Sequence, residues 1–131
     1  MRLFVYLFVF SALFACSSTK YSIGNQKMEE YASARFGSKY ATKTNKDGRF
    51  VIVFKKLKDL RELMASVHYF VYDKKKQIVI TGDTLKAGTV KWYSDYEIMA
   101  VAHDIRTKEG ERIPKQVYIY HVLDRKKRWI D

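Results

Sequence analysis

The chain has 131 residues, one domain's worth, and its ten Tyr, eight Phe and two Trp can build a core, which excludes global disorder. One Pro and six Gly exclude a collagen-like or linker-like composition. A formal charge of +11 favours anionic partners such as nucleic acid, lipid headgroups or acidic polysaccharide, without choosing among them.

Met1-Arg2 supplies a positive start, and Leu3 to Ala15 (LFVYLFVFSALFA) is apolar apart from Ser11 and the Tyr6 hydroxyl. Thirteen helical residues span roughly 20 Å, short of the ~30 Å hydrocarbon layer, so the run is too short for a stable transmembrane helix. A core element would show polar residues on one face, and this run has none. It reads instead as the apolar region of a secretory signal.

The run ends in Leu13-Phe14-Ala15-Cys16, and Ser17-Ser18-Thr19 follows. These residues resemble the lipobox of bacterial lipoproteins. Leu13, Ala15 and Cys16 match the motif. Phe14 is bulkier than the usual residue, as relaxed forms of the motif, notably in Bacteroidota, allow. The resemblance implies that residues 1–15 form a lipoprotein signal peptide cleaved between Ala15 and Cys16. It also implies that the Cys16 thiol carries a diacylglyceryl group and that the new amine is acylated. Cys16 is the chain's one cysteine. Exported proteins usually pair their cysteines, so an unpaired one needs a reason, and lipidation supplies it. Two or three acyl chains give lasting membrane attachment, where one is marginal. Ser17 stands where an inner-membrane retention signal would carry Asp, and no acidic surface-export cluster follows. By that resemblance the protein sits on the outer membrane and faces the periplasm.

Residues 16–24 read as a lipidated tether, and residues 25–131 as a single β-rich domain. Asn25 is positioned to cap a helix from Gln26 to Phe36, with Met28, Tyr31, Ala32 and Phe36 on one face and Gly37 as its stop. The segment SKYATKTNKDGR reads as a polar loop, with Asp47-Gly48 as a turn. From Arg49 the period changes to two. Phe50, Ile52 and Phe54 share a side; Val67, Tyr69 and Val71 oppose His68, Phe70 and Tyr72. KKLKDLRELMAS, between these strands, reads as a short helix or an ordered loop. QIVIT, TVKWY, YEIMAVAH (Tyr96, Ile98, Ala100 and Ala102 on one side) and QVYIYHVLD continue the alternation. The predicted fold is mainly β (α+β): an antiparallel meander of about six strands with one N-terminal helix covering one face. FVYDKKK, GTVKW, DYEIMAV and VYIYHVLD resemble a single β-propeller blade, which implies four consecutive antiparallel strands and no function.

No catalytic residue, metal ligand set or cofactor motif emerges. His68, His103 and His121 lie far apart in sequence, and His103-Asp104, as strand neighbours, point to opposite faces. Ser66-x-His68 lies within one strand, and no G-x-S-x-G elbow occurs. Asp95 and Glu97 share a face of an exposed turn, where neither is desolvated for acid–base work. TGDTLKAGT lacks the G-K-[ST] ending of a phosphate loop.

The basic clusters are Lys55-Lys56, Lys74-Lys75-Lys76 and Arg125-Lys126-Lys127-Arg128. Lysines at strand ends and hairpins commonly keep edges soluble. The last cluster, beside Trp129, also suits an anionic membrane surface, at roughly 1 kcal/mol per cation with Trp at the interface. The export signal argues against nucleic acid as the partner. The leading expectation is a small, non-enzymatic envelope lipoprotein. It would be held to the membrane through Cys16 and bind anionic lipid or another envelope protein. An envelope enzyme acting on glycans or peptides through a site hidden in the sequence is the alternative. A third reading has an exposed sheet edge or an aromatic face (Trp92, Tyr93, Tyr118, Tyr120) docking a protein partner by strand addition.

Overall fold

The structure is a computed structural model that describes residues 19–57, 65–106 and 109–131. Among these residues it is mainly antiparallel β with a single helix near the N-terminus, as predicted. The signal segment, Ala15 and Cys16 lie outside the described residues, as does most of the segment read as a short helix or loop between the first strands.

Helix α1 spans Thr19–Phe36. It starts six residues before the expected cap at Asn25, so residues 19–24, read as tether, are helical. No Pro lies in this stretch, and Gly24 costs a helix interior only about 1 kcal/mol. The predicted stop holds: Gly37 has φ +76° and its amide donates to the Ser33 carbonyl at 2.9 Å. Met28, Ala32 and Phe36, four residues apart, are buried against Val51, Val53, Phe70 and Tyr72. Tyr31, expected on this face, lies at its rim and meets Phe70 edge-on at 4.8 Å.

Among the described residues ten strands follow: β1 (Ala41–Thr44), β2 (Phe50–Leu57), β3 (Ser66–Asp73), β4 (Ile78–Leu85), β5 (Gly88–Trp92), β6 (Glu97–Ala102), β7 (Ile105–Arg106), β8 (Arg112–Ile113), β9 (Gln116–His121) and β10 (Lys126–Ile130). They form a four-stranded sheet ordered β1-β2-β3-β4, another ordered β10-β9-β6-β5, and the β7-β8 hairpin. The antiparallel strands, expected as a meander of about six, are divided between two four-stranded sheets and a hairpin. The physical reason lies in β2 and β3, which are apolar on both faces. Their outer residues Val51, Val53, Phe70 and Tyr72 meet the helix. Their inner residues Phe50, Ile52, Val67, Tyr69 and Val71 pack on Val90, Ile98, Ala100, Tyr118 and Tyr120 of the second sheet. One helix cannot cover both faces. The blade resemblance fails for the same reason, because β3 belongs to one sheet and β5, β6 and β9 to the other.

The chain changes sheet at Lys86-Ala87-Gly88. A Cβ on Gly88 would sit 2.3 Å from the Leu85 Cβ, so the corner admits only glycine. At its far end β5 reaches β1, where the Trp92 indole donates to the Lys43 carbonyl at 2.8 Å. β5 therefore crosses the first sheet from its β4 edge toward its β1 edge. Two further bonds tie the sheets at that end: the Asn45 amide to the Asp95 carbonyl (2.9 Å) and the Tyr96 hydroxyl to Asp47 Oδ2 (2.7 Å).

Two strands lie where none was predicted. β1 lies within the segment read as a polar loop, and β10 covers the basic C-terminal cluster. All nine of their residues are exposed, and both are edge strands. At the β3–β4 hairpin, Asp73 is buried. It takes Arg49 at both oxygens (Nε 3.1 Å, Nη2 2.9 Å) and the amides of Lys75 and Lys76.

Candidate functional site

The basic cluster divides once it is folded. In the β9–β10 ladder Lys127 pairs with Tyr120 and Trp129 with Tyr118, whereas Lys126 and Arg128 pair with His121 and Ile119. Lys127 and Trp129 therefore lie on the inner side of the sheet, and Lys126 and Arg128 on the outer side. Arg128 reaches Glu97 Oε2 at 3.1 Å. Arg125 sits in the hairpin turn with φ +55°. The four cations do not share a face. The four aromatics do not form one exposed face: Tyr118 and Tyr120 are buried in the core, the Trp92 indole is bonded to β1, and Tyr93 stays exposed.

The inner side of this edge opens into a cleft of about 310 Å³. It lies between the end of β4, the start of β9, β10 and the β7–β8 hairpin. Asp83, Thr84, Lys86, His103 and Gln116 give it polar groups; Ile105, Ile113 and Pro114 give it an apolar wall. Asp104, which accepts from the Arg112 guanidinium and the Lys115 amide, ties the hairpin that forms this wall. His103 is set beside the sheet-changing corner by its amide bond to the Ala87 carbonyl (3.2 Å).

Asp83 is the unexpected residue. It pairs with Tyr69 across β3–β4 and shares a face with Leu85, which lies in the inter-sheet core. The alternation would place an apolar side chain there. Its Oδ2 instead accepts from the Tyr118 hydroxyl at 2.8 Å, and its Oδ1 from the Thr84 amide at 2.8 Å. Tyr118 has one hydroxyl proton and gives it to Asp83, so the Tyr69 hydroxyl donates to Tyr118 in turn. A chain Tyr69→Tyr118→Asp83 thus runs from the core to the cleft floor. Burial pushes the Tyr69 hydroxyl up to about 12, with Tyr118 pulling the other way. Burial, then the bonds to Tyr69 and Asp83, hold the Tyr118 hydroxyl far above the ordinary phenol range.

The rim carries Trp129, 59% exposed, its ring 5.2 Å from Tyr118 at 70°. Lys127 Nζ stands 4.3 Å above the Tyr118 ring and 5.5 Å from the Trp129 ring.

The histidines stay apart. His68 meets Thr84 Oγ1 at 3.2 Å, His121 lies 3.6 Å from Asp124, and His103 alone of the three lines the cleft. Among the described residues no three His, Cys, Asp or Glu side chains converge as a metal site would require. None of the described helices is long and apolar enough to cross a membrane. Glu97, bonded to Arg128 and to Ser94, lies below the usual carboxylate range chiefly through Arg128, and Asp95 is held at its backbone by Asn45, so neither joins the cleft.

Sequence reading missed Asp83 and Tyr118 as partners. One signal was present: in VITGDTL, Asp83 falls in step with Leu85. Comparison with known proteins gives no matching family, no matching curated protein and no matching solved structure.

Proposed function

We propose that this protein is a small envelope lipoprotein, cleaved after Ala15 and anchored through acylated Cys16, whose β-domain has a non-enzymatic binding role. It faces the periplasm from the outer membrane. The observation that carries this reading is the coincidence of Arg2, a thirteen-residue apolar run, Ala15, a sole Cys16 and the polar residues after it. A folded domain beginning a few residues beyond Cys16 fits a protein held close to its membrane. Arg125 and Lys126, both exposed, are the cations available to anionic headgroups.

The binding role rests on the cleft. Asp83 already accepts two protein hydrogen bonds, which holds it still as an acceptor. A second reading, an envelope enzyme acting on glycans or peptides, is favoured by one observation: Asp83 and His103 line the same cleft. Growth with a palmitate analogue tests the anchor. The wild-type chain takes up label and sediments with membranes, and Cys16→Ala does neither; label on Cys16→Ala would overturn the reading. Release of new reducing ends or amines from envelope glycan or peptide, lost in Asp83→Asn, would favour the enzyme.

A further inference from the structure

We propose that the cleft between β4, β9, β10 and the β7–β8 hairpin binds an acidic saccharide. The inference rests on the binding role above but not on the anchor at Cys16.

Its floor is a fixed acceptor. Each Asp83 oxygen takes one donor from the protein, and a carboxylate oxygen accommodates about two. The remaining capacity suits a ligand that donates hydrogen bonds. Lys86 and Gln116 add donors on the walls. Trp129 keeps more than half its surface free at the rim, where an apolar ring face can lie against it.

Three other ligand classes fit less well. An amine would seek the Tyr118 and Trp129 rings together with Asp83. The Lys127 ammonium already stands over both rings, and Lys86 lines the cleft itself. An acyl chain would strip water from the Asp83 carboxylate and return no hydrogen bond. An extended peptide is recognised along a strand edge through its backbone, whereas this site is built from side chains at a strand end. A saccharide offers hydroxyls that both donate and accept, and a C–H face. The volume, about 310 Å³, stands at the small end of ligand clefts and suits one or two rings. Lys86 on the lining balances Asp83, and Lys127, its ammonium 5.5 Å from the Trp129 ring at the rim, adds a second cation at the mouth, which favours an acidic substituent over a neutral sugar.

The test uses the full acylated chain in a zwitterionic detergent without a sugar headgroup, carrying Trp92→Phe so that fluorescence reports Trp129. Titration with digalacturonate gives a saturable change, at least about tenfold tighter than with cellobiose, and calorimetry gives the same order. Asp83→Asn weakens binding about tenfold or more, as expected for a lost charged hydrogen bond. Lys86→Gln removes the preference for the acidic sugar. Trp129→Ala, an exposed change that leaves the core intact, weakens binding in calorimetry by about tenfold. Arg128→Ala, on the opposite face, binds as before. The proposal is overturned by the absence of a saturable response to either sugar, by cellobiose binding as well as digalacturonate, or by an uncharged hexapeptide binding more tightly than both. Full affinity in Trp129→Ala also overturns it. Failure here with label still on Cys16 removes the ligand and leaves the anchor; failure of labelling alone does the reverse.

Discussion

Tyr118→Phe removes the central link of the Tyr69→Tyr118→Asp83 chain. The structure gives it two costs. The bond to the Asp83 carboxylate is lost, a charged hydrogen bond of about 1.5–3 kcal/mol, lowered here because Asp83 is half-buried and water can replace the donor. The Tyr69 hydroxyl, on a side chain only 1% exposed, loses its acceptor at about 1–3 kcal/mol. Together they come to about 3 kcal/mol. Tyr69→Phe is milder at about 1 kcal/mol, because Tyr118 still donates to Asp83 and no buried donor is left unpaired. In the double variant the orphaned Tyr69 hydroxyl is gone, so the cost is about 2 kcal/mol and the coupling about 2 kcal/mol. Urea unfolding of the four proteins, followed by circular dichroism, measures this directly. Costs that add within about 0.5 kcal/mol, or a Tyr69→Phe as damaging as Tyr118→Phe, would refute the direction of the chain.

The same hydroxyls make the fold sensitive to alkali. Both tyrosines hold their protons in the folded state above the unfolded value of about 10. Their stability contribution is intact below pH 10 and falls by about 1.4 kcal/mol per pH unit per tyrosine above it, through about pH 12 for Tyr69. Thermal melts from pH 8 to 11 check this, and Tyr69→Phe flattens the decline. At Asp73 burial pushes the carboxyl up, but Arg49 and the Lys76 and Lys75 amides outweigh it and hold it below the usual range. Its contribution is therefore complete above about pH 4 and lost as pH falls through the folded value. Asp73→Asn, which keeps an acceptor for the turn but removes the charge opposite Arg49, costs about 2 kcal/mol in denaturation at pH 7. Arg125→Gly relieves a left-handed backbone that costs a side-chain-bearing residue about 1–2 kcal/mol. It raises stability by up to about 1 kcal/mol in the same assay, after the glycine's own entropy cost.

The sequence displayed what period and burial control. Phe50, Ile52, Val67, Tyr69 and Val71 alternate with Val51, Val53, Phe70 and Tyr72, and each set meets its own layer. The two-sheet division is not written in that pattern. It depends on the corner at Gly88, where the close approach to Leu85 turns the chain, and nothing in KAG announces this. β1 and β10 were illegible because neither buries a side chain; they are strands because β2 and β9 offer them hydrogen-bonded edges. The cleft was hidden for a related reason. Its residues come from turns and strand ends far apart in sequence. The inward Asp83 reads as an ordinary turn residue until Tyr118 arrives from the other sheet.

The most direct measurement is intact-mass and N-terminal fragment spectrometry of the protein purified from its own membranes. The expected product is a mature chain beginning at Cys16, heavier than its sequence by a diacylglyceryl group and an amide-linked acyl chain. A chain still beginning at Met1, or one whose Cys16 bears a free thiol, would contradict it.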